Sequence, residues 1–191
     1  MGREIRMVPP HWDHPTDEKD GHFIPMYDKT FAQACQEWKE KFAAWERGER
    51  PDYFQTEKHP ADLQFWEYDD GLPEDRNVYR PWQDEEATWV QLWETVSEGT
   101  PVSPPFETRE ELAAYLAENG DFWDQSRAAE GSMGFRRGDN PGWGKERAEA
   151  FVRSGWSPSM VIFQSGGHSE ILESKDVPLH LEQAKAQKEK P

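Results

Sequence analysis

A single cysteine, Cys35, in 191 residues excludes an internal disulfide and any cysteine-based zinc cluster within one chain. Long apolar runs are missing too. None approaches the ~18–20 residues that a membrane-spanning helix needs, Met1-Gly2-Arg3-Glu4 opens no secretory signal, and Arg6 stands where a myristoylation motif wants Ser or Thr. The expectation is a cytoplasmic protein without membrane contact. Leu, Ile, Val and Phe are scarce, numbering 30. With a net charge of −16 they fall below the roughly 20% at which compositions turn from disordered to folding. Ten Trp and five Tyr tip the balance back toward folding, because each buried aromatic removes roughly 150–250 Å² from water. A small, aromatic-rich core under an acidic surface is expected in a compact single domain.

The acidity is uneven. Residues 52–98 hold thirteen Asp/Glu and three Lys/Arg, whereas residues 127–153 hold six Lys/Arg and four Asp/Glu. Such a field repels nucleic acid and anionic membranes at its negative pole and attracts basic protein surfaces there. The expected partner is therefore a protein with a basic surface, with no direct contact to nucleic acid.

Along the chain, residues 1–29 read as a proline-rich arm, with a short strand at Ile5 to Val8 followed by extended loop. A core domain follows over residues 30–165. Phe31, Cys35, Trp38, Phe42 and Trp45 recur at spacings of four and three, which places them on one helix face, capped by Thr30 or Asp28 and stopped at Gly48. A short helix is expected near Ala61 to Tyr68. "ATWVQLWETVS" reads as a strand. In "EGTPVSPPFETREEL" the prolines impose an extended connector, and Thr108 with Glu111 forms a capping box for a helix over Arg109 to Asn119, closed by Gly120. "SRAAEGSMGFRRGDNPGWG" reads as loop, Lys145 to Ser154 as a helix ending at Gly155, and "SMVIFQS" as a buried strand. Residues 166–191 read as a polar tail whose helix is marginal. The fold class expected is α+β, with three to four helices and a small antiparallel sheet. No internal repeat is visible.

"REIRMVPPHWDHP", "DKTFAQACQEWKEKFAAWERGERPDY" and "EGTPVSPPFETREELAAYLAENG" resemble small acidic, tryptophan-rich proteins encoded by tailed bacteriophages and prophages. The resemblance carries no functional residue. It implies a product acting inside a bacterial host cell, in a group rich in inhibitors of host defence.

Three patterns bear on chemistry. The acidic aromatic region is the strongest, because carboxylates fixed on an aromatic-supported surface imitate the charge of a nucleic-acid backbone. There Asp69, Asp70, Glu74, Asp75, Asp84, Glu85 and Glu86 are expected to supply charge, and Trp66, Tyr79 and Trp82 to supply apolar anchors. The predicted function is non-catalytic: an anti-defence inhibitor that blocks a basic surface of a host nucleic-acid-processing or defence protein. As an alternative, Arg136, Arg137 and Lys145 with a stacking Trp143 suggest a cradle that sequesters a phosphate-bearing signalling nucleotide. A third reading, a metal-dependent hydrolase, rests on His11, Asp13 and His14, joined by His22 or His59. Their spacing lacks a helical i, i+4 pair. Ser103 and Ser159 sit in no nucleophile elbow. No cofactor is implied.

Overall fold

The computed structural model describes residues 2–51, 54, 63–69, 71–95, 99–165 and 168–188. The chain divides into two compact units, Met26–Pro81 and the remainder, Met1–Pro25 with Trp82–Pro191. The architecture is mixed α+β. Among the described residues there are five helices of nine residues or more, a three-stranded sheet and a two-stranded hairpin.

In the 26–81 unit, helix α1 (Phe31–Glu46) is capped by Thr30, whose hydroxyl accepts from the Gln33 amide at 3.2 Å while the Gln33 side chain accepts from the Thr30 amide at 2.7 Å. Its apolar stripe meets the short helix α2 (Phe65–Tyr68). Phe65 contacts Trp38, Phe42 and Trp45 at ring separations of 5.3–5.7 Å, so aromatic rings do the work that aliphatics do elsewhere. The helix expected near Ala61 to Tyr68 begins only at Phe65: Leu63 and Gln64 are not helical and the Gln64 backbone is extended at the N-cap, while residues 61 and 62 lie outside the described residues.

In the larger unit, β1 (Arg3–Val8) is the middle strand of a sheet ordered β2-β1-β3, antiparallel to β2 (Trp89–Glu94) and to β3 (Trp156–Ser157). Val90 and Leu92 turn one face of β2 toward Leu112 and Leu116 of α3 (Arg109–Asn119) and toward Ala148 and Phe151 of α5 (Lys145–Ser154). This is the aliphatic core. Each such fully buried Leu or Phe contributes about 1.5–3 kcal/mol. The opposite face carries Trp89, Gln91 and Trp93, paired across the strands with Val8, Arg6 and Glu4. It is covered by the 9–25 arm: His11 packs on Trp89 at 4.4 Å and His14 on Trp93 at 4.9 Å, while the Arg6 guanidinium lies 4.5 Å from the Trp93 ring.

The proline stretch before α3 is a connector with a structural duty. It runs alongside β2, where Val102 and Phe106 donate to Leu92 and Val90, and the buried Ser103 hydroxyl accepts from the Leu92 amide at 3.0 Å. Pro101, Pro104 and Pro105 have no N–H to offer, so this segment pairs only at intervals.

Four expectations need correction. Residues 126–130, at the start of the expected loop, belong instead to helix α4 (Phe122–Glu130), capped by the Asp121 carboxylate on the Asp124 amide at 2.8 Å. Helices outnumber the three to four expected. Strand β4 (Met160–Ser165) pairs with β5 (His168–Glu173) in a two-stranded hairpin that leaves Met160, Ile162 and Ile171 exposed, so "SMVIFQS" is a strand but not a buried one. The chain after residue 166 is polar, yet it forms β5 and then α6 (Val177–Lys188), with Leu172 and Val177 buried.

Candidate functional site

The predicted acidic surface falls on both units, and each part is described by itself. In the larger unit, Asp84, Glu85 and Glu86 form one exposed 3-10 turn between two buried residues, Trp82 and Ala87. Glu86 accepts from the Gln83 amide at 2.7 Å, which closes the turn on itself. Trp82 is only 4% exposed and packs edge-on against Trp12 at 4.4 Å. It fixes the turn from beneath and is not an exposed anchor, because its indole surface is already spent on Trp12.

In the 26–81 unit, Glu74 and Asp75 are exposed, and Asp75 caps the 3-10 turn Arg76–Val78 by accepting from the Asn77 amide at 2.9 Å. Tyr79 is half-buried, stacked on Tyr27 at 5.2 Å with Phe31 at its edge. Asp69 pairs with Lys41 at 3.1 Å, which offsets its charge. Trp66 is 59% exposed and is the one predicted anchor that offers its ring to solvent. Asp70 lies outside the described residues.

The residues of the alternative readings are not assembled as those readings need. Arg136, Arg137 and Lys145 are exposed, but Trp143 is buried in the aliphatic core against Phe151 at 5.4 Å, so its ring cannot stack on a ligand base. Among the described residues no group of three or more His, Cys, Asp or Glu side chains is placed to hold a metal. His14 is buried with both ring nitrogens engaged: Nε2–H donates to the Ile24 carbonyl at 2.7 Å and Nδ1 accepts from the Trp12 indole at 3.3 Å. Burial holds its imidazole below the ordinary value, and the nearby Arg6 charge pushes the same way. His11 faces Trp89, and His22 pairs with Asp20 at 3.1 Å on an exposed turn. His59 lies outside the described residues.

Sequence reasoning missed an ionic network in the larger unit. The Asp124 carboxylate, 3% exposed, accepts from the Trp143 indole at 2.9 Å, from Lys175 Nζ at 2.9 Å and from Arg127 Nη1 at 3.4 Å. Beside it the Arg3 guanidinium donates to Asp121 at 2.8 Å. These groups line a cavity of about 380 Å³, which Ser159, Glu173, Ser174, Met133 and Met160 complete. The only local signal was Asp121 following Gly120 as a helix cap. Its partner Arg3 is 118 residues away, and Lys175 is 51 residues from Asp124.

Comparison with known proteins gives no match: no family model, no curated protein and no solved structure is similar to the chain. No helix among the described residues is long and apolar enough to cross a membrane.

Proposed function

We propose that this is a non-catalytic binding protein whose fixed carboxylates occupy a basic, nucleic-acid-binding surface of a host protein. The observation that carries the reading is the 84–86 turn, three exposed acids in succession held between buried Trp82 and Ala87. Carboxylates on so short an anchored turn keep their spacing, whereas acids on a solvated strand of chain lose conformational entropy on docking. Glu74 and Asp75 offer the same chemistry beside a packed tyrosine in the 26–81 unit. A surface of this kind competes with phosphates for Arg and Lys side chains, and its affinity falls with salt. The resemblance to acidic phage proteins directs the search for the partner to the cytoplasm of a bacterial host.

The test is capture from a bacterial lysate on the immobilised protein, with the triple variant Asp84→Asn, Glu85→Gln, Glu86→Gln beside it. The expected catch is a basic nucleic-acid-binding protein that is released by salt, displaced by duplex DNA and lost on the triple variant. A captured partner that binds DNA at the same time, or that the triple variant retains in full, defeats the proposal.

A further inference from the structure

We infer that the charged cavity of the larger unit is a binding site for a small organic anion, a carboxylate or phosphate head on a compact apolar body. The charges decide the head. Arg3 and Asp121 offset one another at 2.8 Å, which leaves the single carboxylate of Asp124 between two cations, Arg127 and Lys175. Asp124 is also committed to the Trp143 indole. Arg127 makes one long hydrogen bond to it, at 3.4 Å, among the described residues. The floor therefore holds two cations for one buried anion, in a chain whose net charge is −16.

The second anion comes from the rim. Glu173 lies 3.4 Å from Lys175, and its side chain is 61% exposed. An ion pair so open to water contributes little, so an incoming carboxylate or phosphate can take its place and gain a less solvated position near both cations. Glu173 acts as the chain's own stand-in for the ligand head. The mouth decides the body. Met133 and Met160 line the cavity while 75% and 56% exposed, and methionine's flexible thioether adapts to apolar groups of varied shape. A volume of about 380 Å³ stands at the small end of ligand cavities. It suits a compact acid better than a dinucleotide.

Trp143 reports on the site, because its indole N–H meets Asp124 at the cavity wall. The experiment follows the tryptophan indole resonances of the labelled full chain during titration with hexanoate, acetate and inorganic phosphate, with Trp143→Phe to assign the signal. The Trp143 resonance is expected to shift with hexanoate at lower concentration than with acetate. Arg127→Gln and Lys175→Met are expected to weaken hexanoate binding about tenfold or more, the scale of one charge-assisted contact. Glu173→Gln, an exposed and conservative change that leaves the fold intact, is expected to tighten it several-fold. No shift with any of the three probes overturns the site. Weaker binding by Glu173→Gln overturns the stand-in role, and a response to phosphate without one to hexanoate overturns the apolar body.

Discussion

At the scale of single residues, His14 shows how burial turns a weak metal candidate into a structural clasp. Its Nε2–H and Nδ1 join Ile24 and Trp12 of the arm, its ring packs on Trp93 and Phe23, and Arg6 and Asp13 are the charged groups that bear on it. A second proton would sit on Nδ1 against the Trp12 N–H. Because burial lowers the folded-state value, the unfolded chain takes up a proton first as pH falls through about 6.5. Stability is therefore lost below that pH and does not change through this group above it. Melting temperatures between pH 7.5 and 5.5 are expected to fall in the native protein and to fall less in His14→Gln; equal slopes in the two would exclude His14 as the cause. Ser103 carries a different burden, since its hydroxyl satisfies the buried Leu92 amide. Ser103→Ala is expected to cost about 1–3 kcal/mol in denaturant unfolding, the cost of orphaning a buried donor. Neither role was legible locally. A histidine beside prolines and a serine between them look alike whether they face water or a core.

At the scale of elements, the helix ends were the most readable parts. Thr30, Thr108, Gly120 and Gly155 all stand where the sequence predicts caps, because capping is settled by residues three or four apart. The hairpin was read only in part. "SMVIFQS" has the composition of a buried strand, but among the described residues β4 has only β5 as a ladder partner, and one face of the pair is left to solvent. Helix α5 shows a constraint that no local pattern signals. A Cβ on Gly142 would stand 2.5 Å from the Ala117 carbonyl oxygen and 2.6 Å from that of Glu118, where the segment that leads into α5 passes the end of α3. Both obstructions are backbone, so nothing short of a main-chain shift relieves them. Gly142→Ala is expected to destabilise by roughly 1–3 kcal/mol, read as a lower midpoint in urea than that of the native protein. A Gly142→Ala midpoint no lower than the native one would show that the α3–α5 junction yields.

For the molecule as a whole, a net charge of −16 means that folding gathers like charges, and the compact state suffers more from this than the extended one. Added sodium chloride is expected to raise the melting temperature as it screens the exposed acids, with most of the gain reached once the Debye length falls to about 8–10 Å. The Arg3–Asp121 pair is buried and the Lys175–Asp124 pair partly so, and both are screened less. A melting temperature that drops steadily with salt would mean that those pairs, and not surface repulsion, dominate the electrostatic balance.

The sequence by itself determined the helix caps, the extended proline connector, the aromatic stripe of α1 and the uneven charge, because each of these depends on neighbours a few residues apart or on composition alone. Only the tertiary structure decided that Trp143 belongs to the core, that Trp82 supports the acidic turn from below, and that Arg3, Asp124 and Lys175 line one cavity. The physical reason is that burial and the pairing of charges depend on which distant segments meet, and a residue's own neighbours carry no record of that.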